Sequence, residues 1–257
     1  MTHGAPLTDV RHWEAFWSRE APADVIPDKT FDPVLWRLLP RGHLDAVEIG
    51  CFPGTYMAYL GQRFGYRVSG IDFLPDLERI RAPLERAGVE VDTLFGADFL
   101  SFESDRRWDV VASFGFIEHF EDVEGVLDAH LRLLRPGGHL VIQVPHFGGL
   151  HRLLRRALEP ELLASHNLEA MRPRSYARWL EDRGLEILYC DYFRTFDFWL
   201  SSSAPILEER FAPRHRAIMW ATVAARALLR STRLEHVPNR WLSPFVLVVA
   251  RAPGARR

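Results

Sequence analysis

The sequence predicts an α/β domain in which a mostly parallel sheet is covered by helices on both faces. Three observations carry that prediction. Short apolar runs alternate with helical patterns from about residue 44 to residue 190, as strand–helix units feeding a parallel sheet do. Gly65, Gly88 and Gly184 each follow an amphipathic segment and precede an apolar run, which is where a helix C-cap belongs. The composition, 47% apolar and 12% aromatic over 257 residues, is ample for one packed core.

The chain opens with Val10, Trp13, Phe16 and Trp17 at helical spacing after Thr8, a good N-cap residue. This predicts a helix lying across the domain, as core cover or part of a lid, within an N-terminal cover of residues 1–40. Strands follow at "LDAVEI", "RVSGID", "EVDTLF", "WDVVASF", "HLVIQV" and "LEILYC", with helices near residues 54–64, 76–87, 122–135 and 173–183. In "LLRPGGHLVIQV", Pro136, Gly137 and Gly138 close one helix before the chain re-enters the sheet. A last strand is expected at "FVLVVA", residues 245–250. Two stretches break the alternation, 146–172 and 192–243. Connections this long inside a compact domain are often binding or lid elements, so both are read as substrate-side insertions. No repeat, low-complexity tract or linker divides the chain, and one domain, residues 1–257, is expected.

Charge and cysteine content exclude several classes. The net charge is −2, but residues 1–150 carry 14 basic and 23 acidic side chains, and residues 151–257 carry 18 and 11. The basic half can steer an acidic substrate or a membrane surface, or form an ordinary solvated face. Cys51 and Cys190 make no disulfide framework and fit a reducing cytosol. The N-terminus lacks the apolar core of a signal peptide. The longest apolar stretch, residues 217–229, contains Arg226 and is too short to span a bilayer. A cytoplasmic protein without an integral membrane segment is expected. Lys29 is the only lysine among 32 basic residues, a bias associated with GC-rich bacterial genomes and so with specialised metabolism.

The loop "VEIGCFPGTY", residues 47–56, joins the first strand to a helix and offers backbone N–H groups at the helix N-terminus. By itself this is a weak signal, since nucleotide-binding folds share it. Asp72 strengthens it. It ends the next strand 22 residues after Gly50, the offset of a carboxylate that accepts from both ribose hydroxyls. Glu48 argues about charge. A pyrophosphate beside it would be repelled, by about 4 kcal/mol for charges about 4 Å apart at an effective dielectric of 20. An ammonium or sulfonium would be favoured. The full G-x-G-x-x-G fingerprint is absent, because Phe52 stands at its middle position.

The segments "VEIGCFPGTY", "GIDF", "GADFL", "WDVVASFGFIEHFED" and "LLRPGGHLVIQVP" occur in the order and spacing of class I S-adenosylmethionine-dependent methyltransferases. Residues 44–190 resemble that family. The resemblance implies a Rossmann-like, seven-stranded sheet with a reversed last strand, helical insertions after strands five and six, and S-adenosylmethionine as cofactor. It implies that the loop at Glu48, Gly50, Cys51 and Gly54 holds the methionine part, and that Asp72, with Phe73 beside it, holds the ribose. Asp98 would accept from the adenine amine between Ala97 and Phe99, and the backbone of Ser113, Phe114 and Gly115 would line the sulfonium end. Phe52 is the departure, since a small residue there lets the backbone approach the ligand. The side chain is expected to turn aside and leave a working loop, whereas one turned inward predicts a dead site.

Methyl transfer to a hydroxyl or a protonated amine needs alignment and removal of a proton. His119 is the first candidate base, because it follows the carboxyl end of strand four, where ligands bind in open α/β sheets, and imidazole titrates near neutrality. Glu118 is read as orienting the loop or its histidine. His146, directly after Pro145 at a strand end, is a second candidate. Glu118-His119 also resembles the tail of a metal motif in quinone-biosynthesis O-methyltransferases, but Gly115 replaces the acid four positions before the histidine, so no metal is expected. His151 and His166 read as polar helix or loop residues, and Arg152, Arg155 and Arg156 as a patch for a carboxylate or phosphate or as a solvated face. Phe193, Phe196, Phe198 and Trp199 read as an apolar wall over the acceptor, a homodimer contact or extra core. The favoured partner is a small-molecule acceptor methylated on oxygen or nitrogen. Nucleic acid is disfavoured, since the chain has "SFGF" after strand four and no long basic run. A non-catalytic cofactor-binding protein, and a methyltransferase acting on a lipid-linked, carbon or macromolecular acceptor, are the alternatives.

Overall fold

The computed structural model describes residues 6–8, 13, 24–74, 76–198, 205–232 and 234–254. Seven strands form one sheet in the order β3-β2-β1-β4-β5-β7-β6. These are β1 (Asp45–Ile49), β2 (Arg67–Asp72), β3 (Val91–Gly96), β4 (Trp108–Phe114), β5 (Leu134–Pro145), β6 (Glu186–Phe193) and β7 (Phe245–Arg251). The pairs among β1 to β5 are parallel, whereas β7 runs antiparallel to both β5 and β6. All seven expected strands are present, the last one reversed.

Alternation along the strands divides the core in two. Ala46, Val110, Ala112, Leu247 and Val249 pack on one face with Phe31, Leu35, Met57 and Leu60. Val47, Val111, Val246, Val248 and Ala250 pack on the other with Val126, Leu127, Trp179 and Leu180. Both faces of the sheet are dry, so its strands read as near-continuous apolar runs. The first face is covered by α1 (Asp32–Leu38) and α2 (Thr55–Phe64), the second by α4 (Val123–Arg132) and α7 (Pro173–Asp182). The helix expected at 76–87 is a 3₁₀ turn, Leu77–Ile80, followed by α3 (Arg81–Arg86). Pro83 lies in the first turn of α3, where a missing N–H costs nothing. In α4, the Asp122 carboxylate caps the helix by accepting from the Gly125 N–H at 2.9 Å.

The insertions form helices. The first holds α5 (Gly149–Leu158) and α6 (Pro160–Ala164); the second holds α8 (Pro205–Ser231). They meet at the start of α5, where the Leu150 N–H donates to the Trp241 carbonyl at 2.9 Å and His151 Nε2 lies 3.0 Å from the Leu242 carbonyl. The aromatic segment of the second insertion is partly core, with Phe193 and Phe198 buried, while Trp220 on α8 is 73% exposed; Trp199 lies outside the described residues. So do Val10, Phe16 and Trp17 of the N-terminal stripe. No helix among the described residues is long and apolar enough to cross a membrane.

Candidate active site

The strand order reverses between β1 and β4, the point at which open α/β sheets leave a crevice at the carboxyl ends of their strands. A cavity of about 290 Å³ lies there. Nine of the fifteen expected site residues line it: Gly50, Asp72, Phe73, Ala97, Asp98, Phe99, Phe114, Gly115 and His119.

Asp72 sits at the floor, at the end of β2. Its Oδ2 accepts from the Phe52 N–H at 3.1 Å and its Oδ1 from the Leu74 N–H at 3.2 Å. Burial raises its pKa, and these backbone donors oppose the rise. Two N–H bonds fix the carboxylate while leaving acceptor capacity on both oxygens. Asp98 caps its own turn, accepting from the Leu100 N–H at 3.1 Å. Gly50 has φ +69°, and a side chain there would be strained and would push on Phe116, since a Cβ would meet Phe116 Cδ2 at 2.6 Å.

Contrary to the sequence-based expectation, Phe52 does not turn clear of the site. Its ring is buried, lines the cavity and belongs to the first core cluster, with the Arg79 guanidinium 4.4 Å from its centroid. Its backbone is what matters to the ligand site, because the N–H is committed to Asp72. The peptide bond between Phe52 and Pro53 is cis.

Six expected residues stand elsewhere. Glu48 lies behind the loop, buried, and burial together with the Asp72 charge raises its pKa well above the carboxylate range. It therefore does not confront the cavity as an anion in the way its position in the sequence suggests. Cys51 turns into the sheet against Gly70, and burial raises its thiol pKa. Gly54, at φ +94°, is the N-cap of α2, closing the turn instead of lining the cavity. Ser113 faces α4, where the His130 ring donates from Nδ1 to the Val126 carbonyl and accepts the Ser113 hydroxyl at Nε2, 3.0 Å away. Burial lowers the His130 pKa to about 4, so the ring is neutral. Glu118 is buried behind His119, its Oε1 3.9 Å from His119 Nε2, and burial pushes its pKa up to about 8. His146 belongs to a different cavity, its Nδ1 2.7 Å from the Ser243 carbonyl.

His119 is held by rings on two sides, Trp13 edge-on at 4.8 Å and His166 at 4.4 Å. His166 comes from the first insertion, and its Nδ1 lies 2.6 Å from the Leu162 carbonyl. Ligand atoms of Glu118, His119 and His166 lie within 4.8 Å of one another, so the insertion adds an imidazole where the sequence shows a missing carboxylate. Sequence reasoning missed the aromatic lining formed by Phe116 and Phe120, which flank "IEH"; Thr8 and Trp13, read from the sequence as part of a cover or lid, line the cavity together with Pro6. There the Leu7 N–H donates to the His119 carbonyl at 2.7 Å and the Trp13 indole to Thr8 Oγ1 at 3.0 Å. The described part of the N-terminal segment thus covers the mouth of the cavity. The alternation of Phe116 and Phe120 around Glu118-His119 was the available signal.

The residues present fit a cationic nucleoside. Asp72 offers lone pairs to hydroxyls, Gly50 keeps the loop backbone bare, and aromatic rings supply stacking surface.

Residues 28–189 match the family model of a methyltransferase domain. A ubiquinone biosynthesis O-methyltransferase of Xanthomonas axonopodis is 26% identical over 191 residues, 69% of this chain and 76% of that one. A trans-aconitate 2-methyltransferase of Azoarcus is 27% identical over 179 residues, 67% of each chain. Further relatives are spanned over as little as 41% of their length. In fold, the chain is similar to a crystal structure from Bacillus halodurans, with a TM-score of 0.57 at 18% identity, covering 88% of this chain and all of that one.

Proposed function

Because the chain belongs to the class I S-adenosylmethionine-dependent methyltransferases, we propose that it methylates an oxygen or nitrogen atom of a small molecule, with His119 as general base. The observation that carries this reading is that His119 lines the same cavity as Asp72 and Asp98. When bound, S-adenosylmethionine supplies an electrophilic methyl group on a cationic sulfur. Asp72 holds the ribose hydroxyls, Asp98 the adenine amine, and Ala97 and Phe99 flank the ring. The backbone at Gly50 and Gly115 gives close approach. Phe114, Phe116 and Phe120 exclude water from the reacting atoms. His119 takes the acceptor's proton as the new bond to carbon forms, and Glu118 behind it orients the imidazole. No acid is required, because the leaving group departs as a neutral thioether.

Titration calorimetry is expected to show S-adenosylhomocysteine binding in the micromolar range, at least tenfold weaker in Asp72→Ala. Absence of binding by the folded wild-type protein would sink the cofactor assignment. His119→Ala is expected to lower kcat by about 10²-fold or more with nearly unchanged cofactor affinity. A second reading is favoured by the Glu118, His119 and His166 cluster, in which the histidines hold a divalent ion that activates the acceptor. One carboxylate and two imidazoles are a sparse set for hard cations, which take six or more oxygens. Activity that survives dialysis against a chelator supports the base. Activity lost on chelation and restored by a divalent metal supports the ion.

A further inference from the structure

A second cavity, of about 340 Å³, opens beyond the carboxyl end of β5, among residues that methyl transfer leaves unused. We propose that it binds a small-molecule carboxylate or phosphate through Arg152, Arg172 and Arg240. Three parts of the chain deliver these guanidinium groups: the first turn of α5, the residue before α7, and the loop before β7. Exposed arginines ordinarily spread over a surface and pair with acids. Here three converge on one concavity, and the acid paired with one of them is Glu169, whose Oε2 lies 2.7 Å from Arg172 Nη1. Bringing like charges together costs free energy unless an anion joins them, and planar guanidinium forks match the oxygens of a carboxylate or phosphate.

The backbone is built to hold this convergence. Gly149 has φ +52°, and a Cβ there would lie 2.3 Å from the Trp241 carbonyl oxygen. Only glycine lets the start of α5, which carries Arg152, press against the loop that carries Arg240. The Leu150 N–H closes the same contact at 2.9 Å. A Cβ on Gly148 would lie 2.3 Å from His146 Nε2, so this glycine admits the imidazole to the cavity floor. His146 is fixed there by its Ser243 contact and by the Tyr192 ring, 4.6 Å away. Arg172, Arg174 and Arg240 all act on the Tyr192 hydroxyl, opposing the pKa rise that burial imposes on it. The cavity is separate from the one holding His119: Phe147 stands between them, with its ring 5.0 Å from His166.

The patch expected from the sequence is thereby redrawn. Arg155 is fully buried, paired with Glu159 at 2.5 Å and lying 4.2 Å from the centroid of the Phe147 ring. It does not line the cavity, and Arg172 and Arg240 take its place in the cluster. Trp241, 59% exposed, lines the cavity, and Leu153, next to Arg152 on α5, is 67% exposed. They give an anionic lipid surface as the rival occupant.

The test is calorimetric titration of the intact protein with inorganic phosphate and with succinate, at constant ionic strength and without cofactor. Saturable binding of at least one anion is expected, weakened at least tenfold in Arg152→Ala/Arg240→Ala. Preference for phosphate or for succinate identifies the source of the charge. Both arginines are exposed, and Arg152→Gln/Arg240→Gln provides a second variant of nearly native shape. Failure of both anions to saturate would overturn the proposal, as would wild-type affinity in folded variants. Pelleting with phosphatidylglycerol vesicles, in place of saturable binding of the free anions, would also overturn it. None of these readings depends on methyl transfer.

Discussion

Glu118 is a carboxyl placed where ionisation is costly. Its folded pKa of about 8 exceeds the ordinary value of 4.5, because burial penalises the charged form. Between those values the folded state keeps a proton that the unfolded state gives up, so stability falls as pH rises and is lost past the folded pKa. His130 and His151 act in the opposite sense. Burial lowers both to about 4 from 6.5, so their share of stability is lost as pH falls from 6.5 toward 4. Above pH 6.5 the two histidines are neutral in both states. The slope between 6.5 and 8 therefore belongs to buried carboxyls, Glu118 and, by the same sign, Glu48. Scanning calorimetry is expected to show Tm falling across that window and a shallower fall in Glu118→Gln. An unchanged slope in that variant would mean that Glu118 is ionised in the fold.

Among the elements, the loop between β1 and α2 is the one most tightly specified. The Gly50 N–H donates to the Ile71 carbonyl at 2.9 Å, the Gly54 N–H to the Cys51 carbonyl at 2.7 Å, and the Phe52 N–H to Asp72. The loop is thus tied to β2 as well as to its own strand. Gly50→Ala adds two costs, a left-handed φ and a Cβ 2.6 Å from Phe116 Cδ2. Denaturant unfolding is expected to show a loss of about 1–3 kcal/mol, part of it recovered when Phe116→Ala is added. The φ cost stays, so full recovery would mean that the strain argument is wrong. Cofactor affinity is expected to fall in Gly50→Ala by more than stability explains, because the loop backbone shifts from the ligand.

At the scale of the whole molecule, the two ends of the sheet divide the work. The carboxyl ends carry both cavities. The amino ends carry an ion network: Asp45 accepts from Arg67 at 2.6 Å and Arg135 at 3.0 Å, and Arg135 also donates to Asp109 at 2.6 Å. This joins β1, β2, β4 and β5. Burial pushes the Asp45 carboxyl up, but the Arg67 and Arg135 contacts outweigh it and hold its pKa below the usual range. Its contribution is therefore present above the unfolded pKa near 3.8 and lost as pH falls through the folded value. Asp45→Asn is expected to cost about 1–3 kcal/mol at neutral pH, and less in acid. Cofactor affinity, read by calorimetry, is expected to stay unchanged, because the network is at the opposite end of the strands from the site.

By itself the sequence determined the seven strands, their glycine caps and the acid at the end of β2 that lines the cavity, because each rests on local information. Period-2 burial, left-handed turns and the offset from Gly50 to Asp72 survive in a linear string. Side-chain direction does not. Ser113 sits beside Phe114, which lines the cavity, yet it faces α4, since neighbours on a strand point to opposite faces. Two separations were likewise decided only in three dimensions. His119 and His166 come together from segments 47 positions apart, and His146 leaves them for a cavity shared with Arg152, Arg172 and Arg240. Such groupings depend on how the insertions fold back over the sheet, which long-range packing sets and no spacing records.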